Sequence, residues 1–465
     1  MQRAIPVLIV LWSILLFAAG RNHYYYSFET PMPPPDSSGL ILPQVPFDYA
    51  SIDIPEYLVQ AIDSANSPFL PLLDSITNEG ATLGRVLFYE KNLSLNRTIS
   101  CGSCHVQAFS FGAPTAQSAG FSGIPTPRNS MQINHLAFSP GRPVFWDGRI
   151  DNLHDQVLMP VLHPDEMGLS EPEMLSRING LSYYPTLFEA AFGDPEATLP
   201  RIRSALVQFV ASMASFNSKF DQMQESGNVN VLSQIEQQGW ILFQEACVLC
   251  HIEGHFGSDS LFNIGLDLEY ADPGMAGWSG NPAHHGAFKS PTLRNIAFTA
   301  PYMHDGRYET LEQVVDFYSE EVLPHPNNHM GEMLEQPQPF RGFRYSPEEK
   351  AALVAFMHTL SDSTMLTDPK WSDPFTILSS TSDSATFDDL QLFPNPASEE
   401  VWVKWETGGS PEAILLLRDR NGRMVWQGRA LGNGHRIPLE QLSSGLYWLE
   451  WTNGTLRKIR KLIVH

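Results

Sequence analysis

Cys101-Gly102-Ser103-Cys104-His105 and Cys247-Val248-Leu249-Cys250-His251 are two copies of one pattern, and together they hold all four cysteines of the chain. Two thiols three positions apart, followed at once by an imidazole, form the c-type haem attachment motif. The thiols add to the haem vinyl groups, and the histidine reaches the iron from one face. A disulfide framework does not confine its cysteines to such pairs. A zinc site has no need of a histidine directly after each pair. A redox Cys-x-x-Cys is the remaining alternative. The repetition predicts a chain carrying two covalently bound haems.

Working outward, the surroundings are duplicated as well. Gly84-Arg85-Val86-Leu87-Phe88 precedes the first motif and Gly239-Trp240-Ile241-Leu242-Phe243 the second. Asp147-Gly148-Arg149 with Leu153 follows the first, and Asp305-Gly306-Arg307 with Leu311 follows the second at the same internal spacing. A repeat of about 150 residues is too long for a solenoid unit. It predicts two related, mainly α domains of cytochrome c type, each wrapping one haem. Residues 83–90 are expected as an amphipathic helix running into the first motif. Pro200 marks a helix start. Ile202, Leu206, Phe209, Met213 and Phe216 follow at helical spacing as its buried face.

The 465 residues suggest about three domains, and 43% hydrophobic content is ample for packed cores. Arg3, an apolar run over residues 5–19 and small residues to Gly20 predict a signal peptide over 1–20, the run being short for a membrane span. Proline-rich residues 21–51 are expected as an extended leader. Residues 52–232 are then the first haem domain and 233–363 the second. A Ser/Thr/Asp/Pro stretch over 364–386 is expected as a linker. Residues 387–465 change to a β pattern, with short strands expected at 401–405, 414–417, 424–426 and 446–451. Asn421-Gly422 and Asn453-Gly454 are hairpin turn signals, and the whole reads as a small β-sandwich. The net charge of −22 excludes nucleic acid as a partner. Residues 1–386 carry 19 basic and 42 acidic side chains, so the negative charge sits with the haem part.

Several ordered motifs between residues 70 and 362 resemble the bacterial di-haem cytochrome c peroxidases, the family that includes the methylamine-utilisation protein MauG. They are Leu83-Gly84-Arg85-Val86-Leu87-Phe88, Ile99-Ser100 before the first haem motif, and Val144-Phe145-Trp146-Asp147-Gly148-Arg149. His163-Pro164-Asp165-Glu166-Met167-Gly168, Asn217-Ser218-Lys219-Phe220-Asp221 and Lys289-Ser290-Pro291-Thr292-Leu293-Arg294-Asn295, running into Ala300-Pro301-Tyr302-Met303-His304-Asp305-Gly306, complete the set.

The resemblance implies that the first haem meets peroxide and the second relays electrons. His105 and His251 are the axial ligands. Glu166, 20 residues after Trp146, is implied as the distal acid–base group, and Gln156, 10 after it, as the group orienting peroxide. Trp146 is implied between the haems. Without the resemblance, Trp146 reads as core and Glu166 as a surface carboxylate. Family peroxidases place a histidine in the loop after the first motif to cap the iron, but residues 106–132 contain none. His135 comes next and reads as core within a packed helix over 129–138. The first haem is therefore expected to be open without reductive activation. The distal ligand of the second haem is implied at Tyr318, 14 residues after His304, with Met303 the competing ligand. A tyrosine there favours ferric iron and lowers the potential. Arg294 and His304 are implied at haem propionates. Asn129, with the carbonyls of Thr299 and Pro301, falls on the positions of a calcium ion, for which oxygen ligands are suited.

Residues 392–396, Leu-Phe-Pro-Asn-Pro, and the closing Ser443-Ser444-Gly445-Leu446-Tyr447-Trp448 with basic residues 457–461 resemble the C-terminal sorting domain of the type IX secretion system. A carbohydrate-binding or adhesive β module is the alternative. The implied protein is an exported peroxidase, reaching the periplasm and then the cell surface or medium. Its partners are hydrogen peroxide, a small electron donor of cytochrome c or cupredoxin type, and the secretion machinery, and homodimers are common in the family. A MauG-like oxidase acting on a partner protein, and a non-catalytic electron carrier or redox sensor, are the rival readings.

Overall fold

The computed structural model describes residues 39–59, 75–138 and 144–375. In the C-terminal part it describes 390–393, 397, 400–405, 412–419, 424–431, 434–439, 442–443, 445–452 and 457–464. The signal-peptide expectation, most of the leader, residues 376–386 of the expected linker and both Asn-Gly turns lie outside these residues.

Two helix pairs organise the part that bears the haem motifs. Helix α1, Asn78–Tyr89, is capped by Thr77, whose hydroxyl accepts from Gly80 N at 3.0 Å. It leads to the short helix α2, Cys101–Cys104, and packs on α3, Leu199–Ala211, which carries Pro200 in its first turn. Helix α4, Gln234–Ala246, ends at the second motif and packs on α6, Pro347–Thr359, with α5, Leu311–Asp316, alongside. Ser233 with Glu236 and Ser346 with Glu349 form capping boxes at the starts of α4 and α6. In each pair a glycine lets two backbones meet. A Cβ on Gly84 would lie 2.0 Å from the Ala205 carbonyl oxygen, and one on Gly239 would lie 1.9 Å from that of Ala352.

The duplication extends into the loops. Left-handed His135 and Asn295, with φ of 57° and 61°, each precede a 3-10 turn, Leu136–Phe138 and Ile296–Phe298. Bridges Val144–Ile150 and Tyr302–Tyr308 close matching turns around left-handed Phe145 and Met303. Trp146 and His304 therefore hold equivalent places in the two copies. One core gathers Leu83, Leu87, Phe88, Ile202, Leu206, Phe209 and Met213. A second gathers Phe220, Phe243, Phe256 and Phe356.

Several local expectations need correction. Helix α1 begins five residues before residue 83, and every residue from Gly80 to Tyr89 is buried, so its polar side chains are enclosed along with its apolar ones. Helix α3 ends at Ala211, so Met213 and Phe216 reach the core from beyond it. Residues 129–138 form no α-helix, only a turn and one 3-10 turn, although His135 is core, as expected, at 1% exposure. Residues 364–375 do not behave as a linker: Met365 and Trp371 are buried in the first core. Tyr49, at the end of the expected leader, is buried beside them and donates to the Lys370 carbonyl at 2.7 Å. A few large apolar side chains anchor these segments.

A two-stranded ribbon, β1 Leu261–Phe262 and β2 Phe288–Lys289, joins the helical part. The C-terminal strands are β3 Gln391–Phe393, β4 Glu400–Lys404, β5 Glu412–Asp419, β6 Met424–Leu431, β7 Gly434–Pro438, β8 Gly445–Thr452 and β9 Arg457–Val464. They form antiparallel sheets in the orders β3-β4-β7 and β6-β5-β8-β9. Val401, Val403 and Ile437 of one sheet share a core with Leu415, Leu417, Leu449 and Leu462 of the other, as in a sandwich. Period-2 alternation places Val401 and Val403 inside while Trp402 is exposed. β3, β7 and β9 were not foreseen.

Candidate haem sites

Each Cys-x-x-Cys lies in a single helical turn. His105 N donates to Cys101 O at 2.9 Å, and His251 N to Cys247 O at 2.9 Å, so the paired thiols share one face. The two imidazoles are held alike. His105 Nδ1 lies 3.0 Å from the Phe111 carbonyl, and His251 Nδ1 lies 3.0 Å from that of Phe256. A carbonyl only accepts, so Nδ1 carries the proton and Nε2 keeps its lone pair. Both carbonyls are presented by left-handed residues, Phe111 at φ 60° and Phe256 at φ 59°. Burial pushes both imidazoles below their usual value, against the pull of those carbonyls, and favours the neutral form that binds metal.

The thiols are free, and burial pushes Cys101 and Cys247 up to about 12 and Cys250 up to about 11. A redox Cys-x-x-Cys works through a thiolate, which such burial disfavours. Each motif faces a cavity. Paired thiols on one face, an imidazole with a fixed Nε2 and a largely apolar cavity fit a covalent haem at both places.

The first cavity brings together Cys101, Cys104, His105, Gln156, Glu166 and Met167. Glu166 is half-buried, and burial raises its carboxyl above the usual glutamate range, against the nearby charges of His163 and Arg149. Its backbone is clamped. Glu166 N donates to the His163 carbonyl at 3.2 Å, and Glu166 O accepts from Phe121 N at 2.8 Å. Phe121 belongs to a tight turn closed by the Ala119–Pro125 bridge, in the loop that lacks a histidine. A Cβ on Gly120 would lie 1.8 Å from the Asp165 carbonyl oxygen, so only glycine lets this turn seat against the Glu166 segment. Sequence reading did not single out Gly120; no local pattern marks a contact made 45 residues away.

The two cavities share a wall that sequence reading also missed. Ser130 and Ile133 line the first, while Asn129, Met131 and Gln132 line the second. Trp146 lines the second cavity, and its indole N–H donates to the Asn129 carbonyl of this wall at 2.8 Å.

The second cavity is also lined by Met303, His304 and Tyr318. Tyr318 lies in a π-turn, Phe317–Glu321, that continues from α5, and such turns recur at functional sites. Burial raises its phenol above the usual value. Both candidate distal ligands therefore face this cavity. His304 stacks on Phe288 with centroids 3.8 Å apart. Arg294 does not reach either cavity. It is 2% exposed, paired with Asp221 at 3.0 Å, and bonded to Tyr57 Oη and the Gly254 carbonyl. These partners hold Arg294 between the Asp221 carboxylate and the Gly254 carbonyl. Asn129, Thr299 and Pro301 all line the second cavity, and Asn129 Nδ2 donates to the Thr115 carbonyl at 3.0 Å.

The family model for di-haem cytochrome c peroxidase matches residues 78–228, and that for the secretion system C-terminal sorting domain matches residues 391–465. The chain is 32% identical over 300 residues to the methylamine utilization protein MauG of Methylorubrum extorquens, covering 62% of this chain and 80% of that protein. It is 35% identical over 261 residues to the cytochrome c551 peroxidase of Nitrosomonas europaea, covering 54% and 77%. Among solved structures, a MauG-like protein associated with microbial copper homeostasis superposes with a TM-score of 0.60 at 31% identity, over 70% of this chain and 99% of that one. The diheme peroxidase BthA from Burkholderia thailandensis shares the fold, with a TM-score of 0.53 at 22% identity over 64% of this chain and 90% of that one. The chain belongs to the di-haem cytochrome c peroxidase and MauG family of oxidoreductases and ends in a type IX secretion sorting domain.

Proposed function

We propose that the protein is an exported di-haem peroxidase that reduces hydrogen peroxide to water with electrons from a small redox protein. One haem is held by Cys101, Cys104 and His105, the other by Cys247, Cys250 and His251. One observation carries the reading. Among the described residues lining the first cavity, Glu166 is the only ionisable side chain not committed to holding the haem. A haem bound there supplies the redox chemistry that breaks the O–O bond. Peroxide also needs a proton moved from one oxygen to the other before water can leave. The Glu166 carboxylate accepts that proton and returns it to the departing oxygen, a role suited to a carboxyl raised by burial. The Gln156 amide orients the peroxide. Trp146 lines the second cavity beside the shared wall, and there Tyr318 or Met303 would join His251 in holding the haem. A calcium ion is proposed at Asn129 and the Thr299 and Pro301 carbonyls.

A second reading, a MauG-like oxidase of a partner's side chain, is favoured by Tyr318 and by the histidine-free loop over 106–132. The test is peroxide consumption by the haem-loaded protein with a reduced small c-type cytochrome. Catalytic consumption, two cytochromes oxidised per peroxide, is expected. Stoichiometric reaction with no turnover would point to the second reading, and no reaction would leave an electron carrier.

A further inference from the structure

Three tryptophans among the described residues are strongly exposed: Trp278, Trp402 and Trp448. The last two belong to the sorting domain. Trp278, 50% exposed, stands in the haem-bearing part. A single exposed apolar side chain is ordinary by itself, but tryptophan is enriched at interfaces. Here its indole N–H is aimed inward and donates to the Asp147 carbonyl at 2.8 Å. The preceding residue is Trp146, whose side chain lines the second cavity. Lys289 N in turn donates to the Trp146 carbonyl at 2.8 Å, and Lys289 lines the same cavity.

The short helix bearing Trp278, Ala276–Ser279, is fixed to this wall. Gly274 bridges Ala287, and Met275 N donates to the Ala287 carbonyl at 3.0 Å, directly before β2. Arg128 then pairs with Asp147 at 2.6 Å and with Asp272 at 2.6 Å, tying the Trp146 segment to the one that leads into the helix. The surface indole is thus held at a set place, one hydrogen bond and one residue of backbone from a tryptophan on the cavity wall.

Resting on the peroxidase reading above, we propose that Trp278 is a surface electron port, the point where the redox donor hands electrons toward the second haem site. Peroxide is the oxidant. Reducing one peroxide to two waters takes two electrons and two protons, and each electron leaves the Trp278 ring in turn, passing inward by way of Trp146. A donor molecule then returns one electron to the ring. The indole N–H faces a neutral carbonyl that cannot take its proton, so the ring can lose and regain an electron with no proton displaced. The donor that fits is a basic c-type cytochrome, because residues 1–386 carry 19 basic against 42 acidic side chains.

The test compares haem-loaded wild type with W278F, W278Y and the sorting-domain control W402F. In the first arm, peroxide is added without donor in the presence of a nitroso spin trap, and peptides are mapped by mass. The adduct is expected on Trp278 and absent from W278F. In the second, oxidation of a reduced basic c-type cytochrome falls roughly tenfold or more in W278F and partly recovers in W278Y. W402F matches wild type. The haem absorbance change on adding peroxide is the same in all four proteins. A wild-type cytochrome rate in W278F, or adducts that spare Trp278, overturns the port. Wild-type haems that do not respond to peroxide fail the peroxidase reading itself, and the port with it.

Discussion

Replacing Glu166 with Gln tests the proton-moving role at one atom. The amide keeps the shape of the side chain and removes the only free acid–base group among the described residues lining the first cavity. Gln156, already an amide on that wall, cannot substitute for it. Positioned general acid–base catalysis contributes roughly 10²–10⁴-fold, which is about 2.7–5.4 kcal/mol of barrier. The expected loss in kcat/KM for peroxide lies in that range. Because burial opposes the charged carboxylate, the neutral amide should fold at least as stably, so an unchanged Tm separates lost chemistry from lost structure. The assay is stopped-flow: the bimolecular rate of the haem absorbance change with peroxide, alongside steady-state oxidation of a reduced cytochrome. A loss smaller than about tenfold in both would refute the reasoning, since the described residues lining the cavity offer no second base.

Three further outcomes are expected. The acid limb of kcat/KM should lie above 4.5, the ordinary value for glutamate, because burial raises Glu166 and only its carboxylate form can accept the peroxide proton. Activity should rise with pH through that point, and the limb should vanish in E166Q. The same raised value means Glu166 favours folding at acid pH, a contribution lost as pH rises through its folded-state value. Tyr318→Phe should alter the spectrum of one haem only, and an unchanged spectrum would transfer the ligand assignment to Met303. Gly239→Ala forces a Cβ to within 1.9 Å of the Ala352 carbonyl oxygen. It should cost about 1–3 kcal/mol or more, read as a lower urea midpoint, with Gly84→Ala giving the same in the first pair.

The haem sites were legible because covalent chemistry fixes residue type and spacing at Cys101, Cys104 and His105 and again at Cys247, Cys250 and His251. Glu166 and Gln156 were reachable only through the family resemblance, and the structure does bring them to the first motif. What stayed hidden has physical causes. The carbonyls of Phe111 and Phe256 that set the imidazoles are backbone atoms, which any residue supplies. Arg294 finds Asp221 at a separation of 73 residues, a pairing no local pattern reveals. Trp371 sits in a Ser/Thr/Asp/Pro stretch read as a linker and Tyr49 in a proline-rich stretch read as a leader, and tertiary burial overrode both signals. β9 was read as a basic cluster, although its Leu462 and Val464 face the sandwich core.

The central claim is one open iron at the first site, coupled to a second haem. The most direct measurement is the EPR spectrum of the purified, fully oxidised protein before and after hydrogen peroxide. The account predicts a high-spin ferric signal beside a low-spin one, both lost on adding peroxide with no prior reduction. Two low-spin signals indifferent to peroxide would contradict it, since both irons would then be capped and Glu166 would have no substrate to serve.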